Sequence, residues 1–214
     1  MNRNINNRIK TMYNKIHSYE NLLLAFNRAK KKKNKRRYVK RFKTDLENNL
    51  LKIQNELINK SYCPCIQKTF ILRDPKTRKI TKSAFRDRVV HHALCNIIVP
   101  VIEKSFIYDS YANQIGKGAH KALKRFDEFK RKVSKNNTRV CYILKADIKH
   151  YFEEINHDIL IDIIKKKIKD ENVVWLIETI LKNASRGGGA KHFYMRKRHA
   201  SWKFNFSILC QCLP

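Results

Sequence analysis

Asp147 stands three residues after an apolar, β-branched run, Val140 to Leu144, and five residues ahead of an aromatic, Phe152. A buried strand that ends on a carboxylate displays it from a rigid edge. Such a carboxylate can ligate a hard cation such as Mg2+, which takes oxygen ligands and keeps several waters. The chemistry this suits is nucleotidyl transfer, where catalysis is largely positioning and neutralisation of charge. Two metal ions about 3.5–4 Å apart serve that chemistry, more than one carboxylate can hold. The plainer reading of Asp147 is a solvent-facing or helix-capping residue after a strand, and taken alone the residue favours it. Glu153, Glu154, His157 and Asp158 follow and would interest a metal nuclease. The first turn of a helix is the simpler account of them, since acids favour its positive end.

The elements that must position these residues can be read from periodicity. Apolar residues from Val39 recur at Phe42, Leu46, Leu50, Ile53 and Leu57, painting one stripe on a helix. Residues 66–81 place β-branched and aromatic residues on both sides of Asp74-Pro75-Lys76-Thr77, the pattern of a β-hairpin with a basic tip. A helix is expected over 85–107, bent or ended at Pro100, and another over 119–134 on Ala122, Leu123, Phe126 and Phe129. Asn156 is placed to cap a helix to Ile168 that turns Ile159, Leu160, Ile163 and Ile164 inward, and a further helix covers Asn172 to Leu181. No repeat of solenoid period is visible.

Charge narrows the partner. The 214 residues carry 48 Lys and Arg against 18 Asp and Glu, a net +30 that would strain a compact fold unless a polyanion neutralises it. The run AKKKKNKRR at 29–37 cannot be buried; it is either a solvated face or a surface that releases counterions from nucleic acid. No apolar run approaches the roughly 20 residues of a spanning helix, and the basic start lacks the apolar stretch of a secretory signal. A soluble, cytoplasmic protein without a membrane partner is therefore expected. The cysteines at 63, 65, 95, 141, 210 and 212 lack zinc-finger spacing; Cys95 and Cys141 read as small hydrophobes, and Cys63 and Cys65 as part of a loop or strand start.

Three collinear stretches sharpen the picture: RDPKTRKIT (73–81), AFRDRVVHHALCNIIVPVIEKSFIYDSYANQIGKGAHKAL (84–123) and YILKADIKHYFEEINHDIL (142–160). In order and spacing they resemble the reverse transcriptases of bacterial retroelements, especially the group II intron and diversity-generating types, over about residues 66–181. The resemblance implies an α+β fragment of the polymerase right hand. Its parts would be a basic helical region at 1–60, fingers with a β-hairpin at 61–138 and the start of the palm at 139–183. It makes Asp147 the first metal-binding aspartate, Phe152 the aromatic beneath the nucleotide sugar with Ile148 beside the same nucleotide, and Arg78 the finger cation that meets the triphosphate. Lys76, Lys79, Arg86, Arg88 and Lys117 become candidate nucleic-acid contacts. For Arg86 and Arg88 an ion-paired cluster at a helix start is an equal reading. Gly116 and Gly118 read as a tight turn, and His91 and His92 as packing residues. Lys145 and Lys149 flank Asp147 and could likewise reach a backbone phosphate. Magnesium, an RNA template, a primer and deoxynucleotide triphosphates are the implied cofactor and partners.

The family's Gly-x-Pro-x-Gly-Asn-x-x-Ser-Gln segment and its Tyr-x-Asp-Asp hairpin do not occur. Codons compatible with Lys197 to Leu213, read one nucleotide later, can spell Lys-Gly-Met-Pro-Leu-Gly-Asn-Leu-Thr-Ser-Gln-Phe-Phe-Ala-Asn-Val-Tyr, which contains the first of these. Trp202, for example, must be TGG and Lys203 begins with A, so the shifted codon is GGA, glycine. A frameshift near codons 182–190 is thus expected, making 184–214 an out-of-frame tail and the chain alone inactive as a polymerase. The alternative is a non-catalytic RNA-binding protein derived from a reverse transcriptase.

Overall fold

The computed structural model describes residues 12–75, 77–147 and 155–186. After helical residues 12–16 come α1 (Tyr19–Lys30), α2 (Arg37–Thr44) and α3 (Leu46–Ile58). The hairpin strands β1 (Lys68–Leu72) and β2 (Arg78–Lys82) lead into α4 (Phe85–Glu103), followed by α5 (Ala119–Val133), α6 (His157–Lys167) and α7 (Glu171–Arg186). The architecture is α+β, mostly helical, with one two-stranded antiparallel sheet.

The core forms where α1 lies on α4 and α3 packs beside them. Ser18 caps α1 by accepting from the Asn21 N–H, and α1 buries Leu22, Ala25, Phe26 and Ala29. Against this face α4 buries Val89, Val90, Ala93, Leu94 and Ile98. Asn21 joins the two helices, its side-chain amide donating to the Ile16 and Ala93 carbonyls at 2.9 and 3.0 Å. Leu160 and Ile164 of α6 and Val173, Leu176 and Ile177 of α7 extend the same core. Asp170 fastens them to the start of the chain. Its carboxylate accepts from the Tyr13 N–H and caps α7 by accepting from the Asn172 N–H, each at 3.0 Å. The Tyr13 hydroxyl, pushed up to about 12 by burial and the nearby Asp170 charge, donates to the Leu57 carbonyl.

The stripe from Val39 to Leu57 occupies two helices rather than one. The chain breaks at Asp45, whose φ of −127° and ψ of 58° are not helical. Local side-chain hydrogen bonds serve the break: Asn48 donates to the Asp45 carboxylate and Asn49 to the Phe42 carbonyl. Pro100 does not end α4, which runs on to Glu103. It sits in the last turn on an exposed side, where water can serve the carbonyl its missing N–H leaves over. On α6, Leu160 and Ile164 are buried but Ile159 faces solvent.

The larger departure is at Val140–Leu144. These residues form no strand and are largely exposed, Val140 at 84% and Leu144 at 91%. A strand requires hydrogen-bonded neighbours, and among the described residues the two strands pair only with each other. The helix on Ala122, Leu123, Phe126 and Phe129 forms as expected, as α5, yet none of its residues is buried.

Candidate nucleic-acid interface

The hairpin register pairs Leu72 with Arg78 and Ile71 with Lys79, placing both cations at the start of β2 beside the turn. Lys76, Ile148 and Phe152 lie outside the described residues, as do Glu153 and Glu154. Asp147 is exposed at the end of the irregular segment 140–147. Among the described residues no group of three or more His, Cys, Asp or Glu side chains is placed to hold a metal ion. One exposed carboxylate does not make a two-metal centre.

The Arg86-Asp87-Arg88 triplet divides three ways. Arg86 forms an ion pair with Glu56 and lies over the Tyr62 ring. Asp87 is buried and accepts from the Tyr62 hydroxyl and the Cys65 N–H, both at 2.9 Å. Burial raises the Asp87 carboxyl despite these hydrogen bonds. Arg88 turns the other way, 2% exposed, with its guanidinium 4.9 Å from the Tyr38 ring and 5.2 Å from Phe85.

Lys117 is engaged locally. Its ammonium donates to the Tyr108 and Ser110 carbonyls at 2.5 and 3.0 Å and lies over the Tyr108 and Tyr111 rings. The flanking glycines take positive φ, 77° at Gly116 and 133° at Gly118, which an L side chain resists. They turn the chain into α5, Gly118 serving as its cap. Cys63 and Cys65 lie in the irregular lead to β1, and Cys95 is buried in α4 as a small hydrophobe.

Sequence reasoning missed the cluster around Tyr38. Lys82, at the end of β2, sets its ammonium 4.4 Å from the Tyr38 ring, on which Arg88 also lies. Lys33, from the basic run, is close enough that Arg88 and Lys82 add to burial in lowering its pKa. The charge of the run was legible; the tyrosine that gathers it with β2 and α4 carries no sequence signature. His92, one turn beyond Arg88, is held at about 4 by burial and then by the charges of Arg28, Lys33 and Arg88.

A histidine whose folded pKa lies below its unfolded value of 6.5 contributes stability that is complete above 6.5 and lost as pH falls toward 4. Because His92 is only partly buried, solvent screening reduces its share to about 1 kcal/mol. The wild type should therefore lose that much more unfolding free energy than His92→Gln between pH 7 and 4, measured by urea denaturation. Equal losses in the two proteins would remove His92 from the account.

Exposed cations continue beyond this cluster: Lys31, Lys32, Lys35, Arg36 and Arg37 in the turn before and start of α2, Lys40, Arg41 and Lys43 along it, and Lys165, Lys166 and Lys167 on α6. Among these, an ion pair forms between Lys165 and Glu178. A basic, mainly helical α+β chain with this surplus belongs to the class of proteins suited to lie against a polyanion. No protein-family model matches the chain. It is similar to Nuclear intron maturase 1, mitochondrial, of Arabidopsis thaliana, 29% identical over 50% of this chain and 14% of that protein. It is also similar to the uncharacterized 91 kDa protein in cob intron of Schizosaccharomyces pombe, 30% identical over 49% of this chain and 12% of the relative. Protein YkfC of Escherichia coli K12 is 24% identical over 61% of this chain and 34% of its own length. The chain thus matches between 12% and 34% of the length of these relatives. No helix of the described residues is long and apolar enough to cross a membrane.

Proposed function

We propose that this chain is part of a reverse-transcriptase-type protein of the intron-maturase kind and that it binds RNA through its basic surface. The observation that carries the reading is the surplus of exposed cations over carboxylates, in a chain similar to an intron maturase and to an intron-encoded protein. The collinear motifs support the same family, with Asp147 as one magnesium ligand of a complete polymerase acting on a primer, an RNA template and deoxynucleotide triphosphates. Alone, the chain binds RNA without extending a primer, because one carboxylate cannot hold the metal pair that nucleotidyl transfer uses.

The test compares wild type with Asp147→Ala in filter binding to structured RNA and in primer extension with magnesium. The expected result is RNA affinity equal within about two-fold and no extension by either protein, since removing one exposed acid subtracts no phosphate contact. Extension that vanishes in Asp147→Ala would overturn the non-catalytic reading. Failure of the wild type to bind RNA at low salt would overturn the RNA reading.

A further inference from the structure

We propose that Lys33, Tyr38 and Lys82, set over the buried guanidinium of Arg88, form a site for a backbone phosphate of RNA. The inference rests on the RNA-binding reading and locates one contact within it.

Lys82, from the end of β2, and Arg88, from the first turn of α4, both lie over the Tyr38 ring of α2, and Lys33 of the basic turn is near enough to feel the charges of Arg88 and Lys82. Neither Arg88 nor Lys82 has a carboxylate within ion-pair distance among the described residues. The nearest acid in sequence, Asp87, is committed to Tyr62 and Cys65 on another side of the helix. Arg88 is 2% exposed and its buried Nε has no hydrogen-bond partner. A buried cation is ordinarily paired, because desolvation otherwise goes uncompensated. Cation–π contact with Tyr38 and Phe85 offsets part of this cost, while the charges of Lys33 and Lys82 add to it. An anion at the rim would offset the remainder for Arg88 and Lys82 together.

The rim is open. Lys33, Tyr38 and Lys82 each keep part of their surface in solvent, so an anion can reach them while Arg88 acts from the buried side. Burial raises the Tyr38 phenol, but its hydrogen bond with Arg88 and the charges of Arg88, Lys82 and Lys33 outweigh this and lower it overall, leaving a hydroxyl suited to donate to an oxyanion. An ammonium over the ring and a polarised hydroxyl at its edge offer donors for a phosphate's several acceptor oxygens, with the Lys33 charge nearby. The neighbouring turn and α2 carry Lys35, Arg36, Arg37 and Lys40, positions for adjacent phosphates of the same strand.

The experiment measures fluorescence anisotropy of a labelled RNA across salt concentrations with wild type, Lys33→Gln, Lys82→Gln, Tyr38→Phe and, as a surface control, Lys52→Gln. A second arm measures calorimetric binding of inorganic pyrophosphate, and melting curves verify folding. Lys33→Gln and Lys82→Gln are each expected to weaken RNA binding about ten-fold at low salt and to reduce the salt slope by about one. Tyr38→Phe should weaken it about three-fold, and Lys52→Gln less than two-fold. Pyrophosphate binding should be lost with Lys82→Gln. If RNA binds but Lys82→Gln behaves as Lys52→Gln does, the site is overturned and the RNA reading stands. If no protein binds RNA while wild type binds pyrophosphate and Lys82→Gln does not, the anion site stands and RNA as its ligand is overturned. Binding of neither overturns both.

Discussion

Raising monovalent salt from 50 to 200 mM should lower the affinity of this chain for single-stranded RNA by about three orders of magnitude. Each phosphate neutralised by a lysine or arginine releases condensed counterions, and the logarithm of the binding constant then falls with the logarithm of salt by about 0.7 per contact on a single strand. About seven contacts give the predicted loss. The exposed cations of the turn and of α2, with the Tyr38 cluster behind them, are numerous enough to supply that many. A protein that read RNA mainly by stacking on aromatic rings would show a shallower dependence. Tyr142, 96% exposed, and Tyr108, 76% exposed, are available for stacking but lie away from the basic turn in sequence. A measured slope shallower than about two would therefore move the interface off the lysine-rich face.

The legible parts of this fold are those whose stability is local. The hairpin was readable because Thr69, Phe70 and Ile71 face Thr81, Ile80 and Lys79 across a connection that contains Asp74 and Pro75. α6 was readable because Asn156 accepts from the Asp158 and Ile159 N–H groups, a cap that needs nothing distant. The failures lie where tertiary context decides. Val140–Leu144 has the composition of a buried strand, but composition supplies no neighbour to pair with. The apolar stripe of α5 similarly announces a face without its cover, leaving Leu123, Phe126 and Phe129 exposed. The break at Asp45 escaped notice because the apolar stripe continues across it: two helices in sequence can share one face when they line the same core.

The candidate site divides along the same line. Its charge was visible from counting, whereas its organisation depends on which way each residue of Arg86-Asp87-Arg88 points. Consecutive helical residues are about 100° apart, so a triplet read as one unit splits toward Glu56, toward Tyr62 and toward Tyr38. One turn of helix thereby joins an ordinary ion pair, a buried carboxylate and a buried cation.

That arrangement makes Asp87→Ala the substitution expected to harm stability most, lowering the unfolding free energy by about 3 kcal/mol. The Asp87 carboxylate accepts from the Tyr62 hydroxyl, 3% exposed, and from the Cys65 N–H, and its removal leaves both donors without their acceptor. These bonds also fix the irregular segment that carries the chain from α3 to the hairpin, and the Asn183 side chain joins the segment by donating to the Cys65 carbonyl. Against the loss stands a relief: burial raises the Asp87 pKa, so its charged form is held at a cost. That cost is absent below the unfolded value of 3.8 and complete once pH exceeds the raised folded value. Asp87→Asn keeps an acceptor for one donor and removes the buried charge, and should cost about 1 kcal/mol. Tyr62→Phe should cost about 2 kcal/mol, because it leaves the charged carboxylate one donor short. Urea unfolding at pH 7 orders the three variants. If Asp87→Asn proved as damaging as Asp87→Ala, the negative charge itself, acting on Arg86, would replace hydrogen bonding as the reason for this carboxylate.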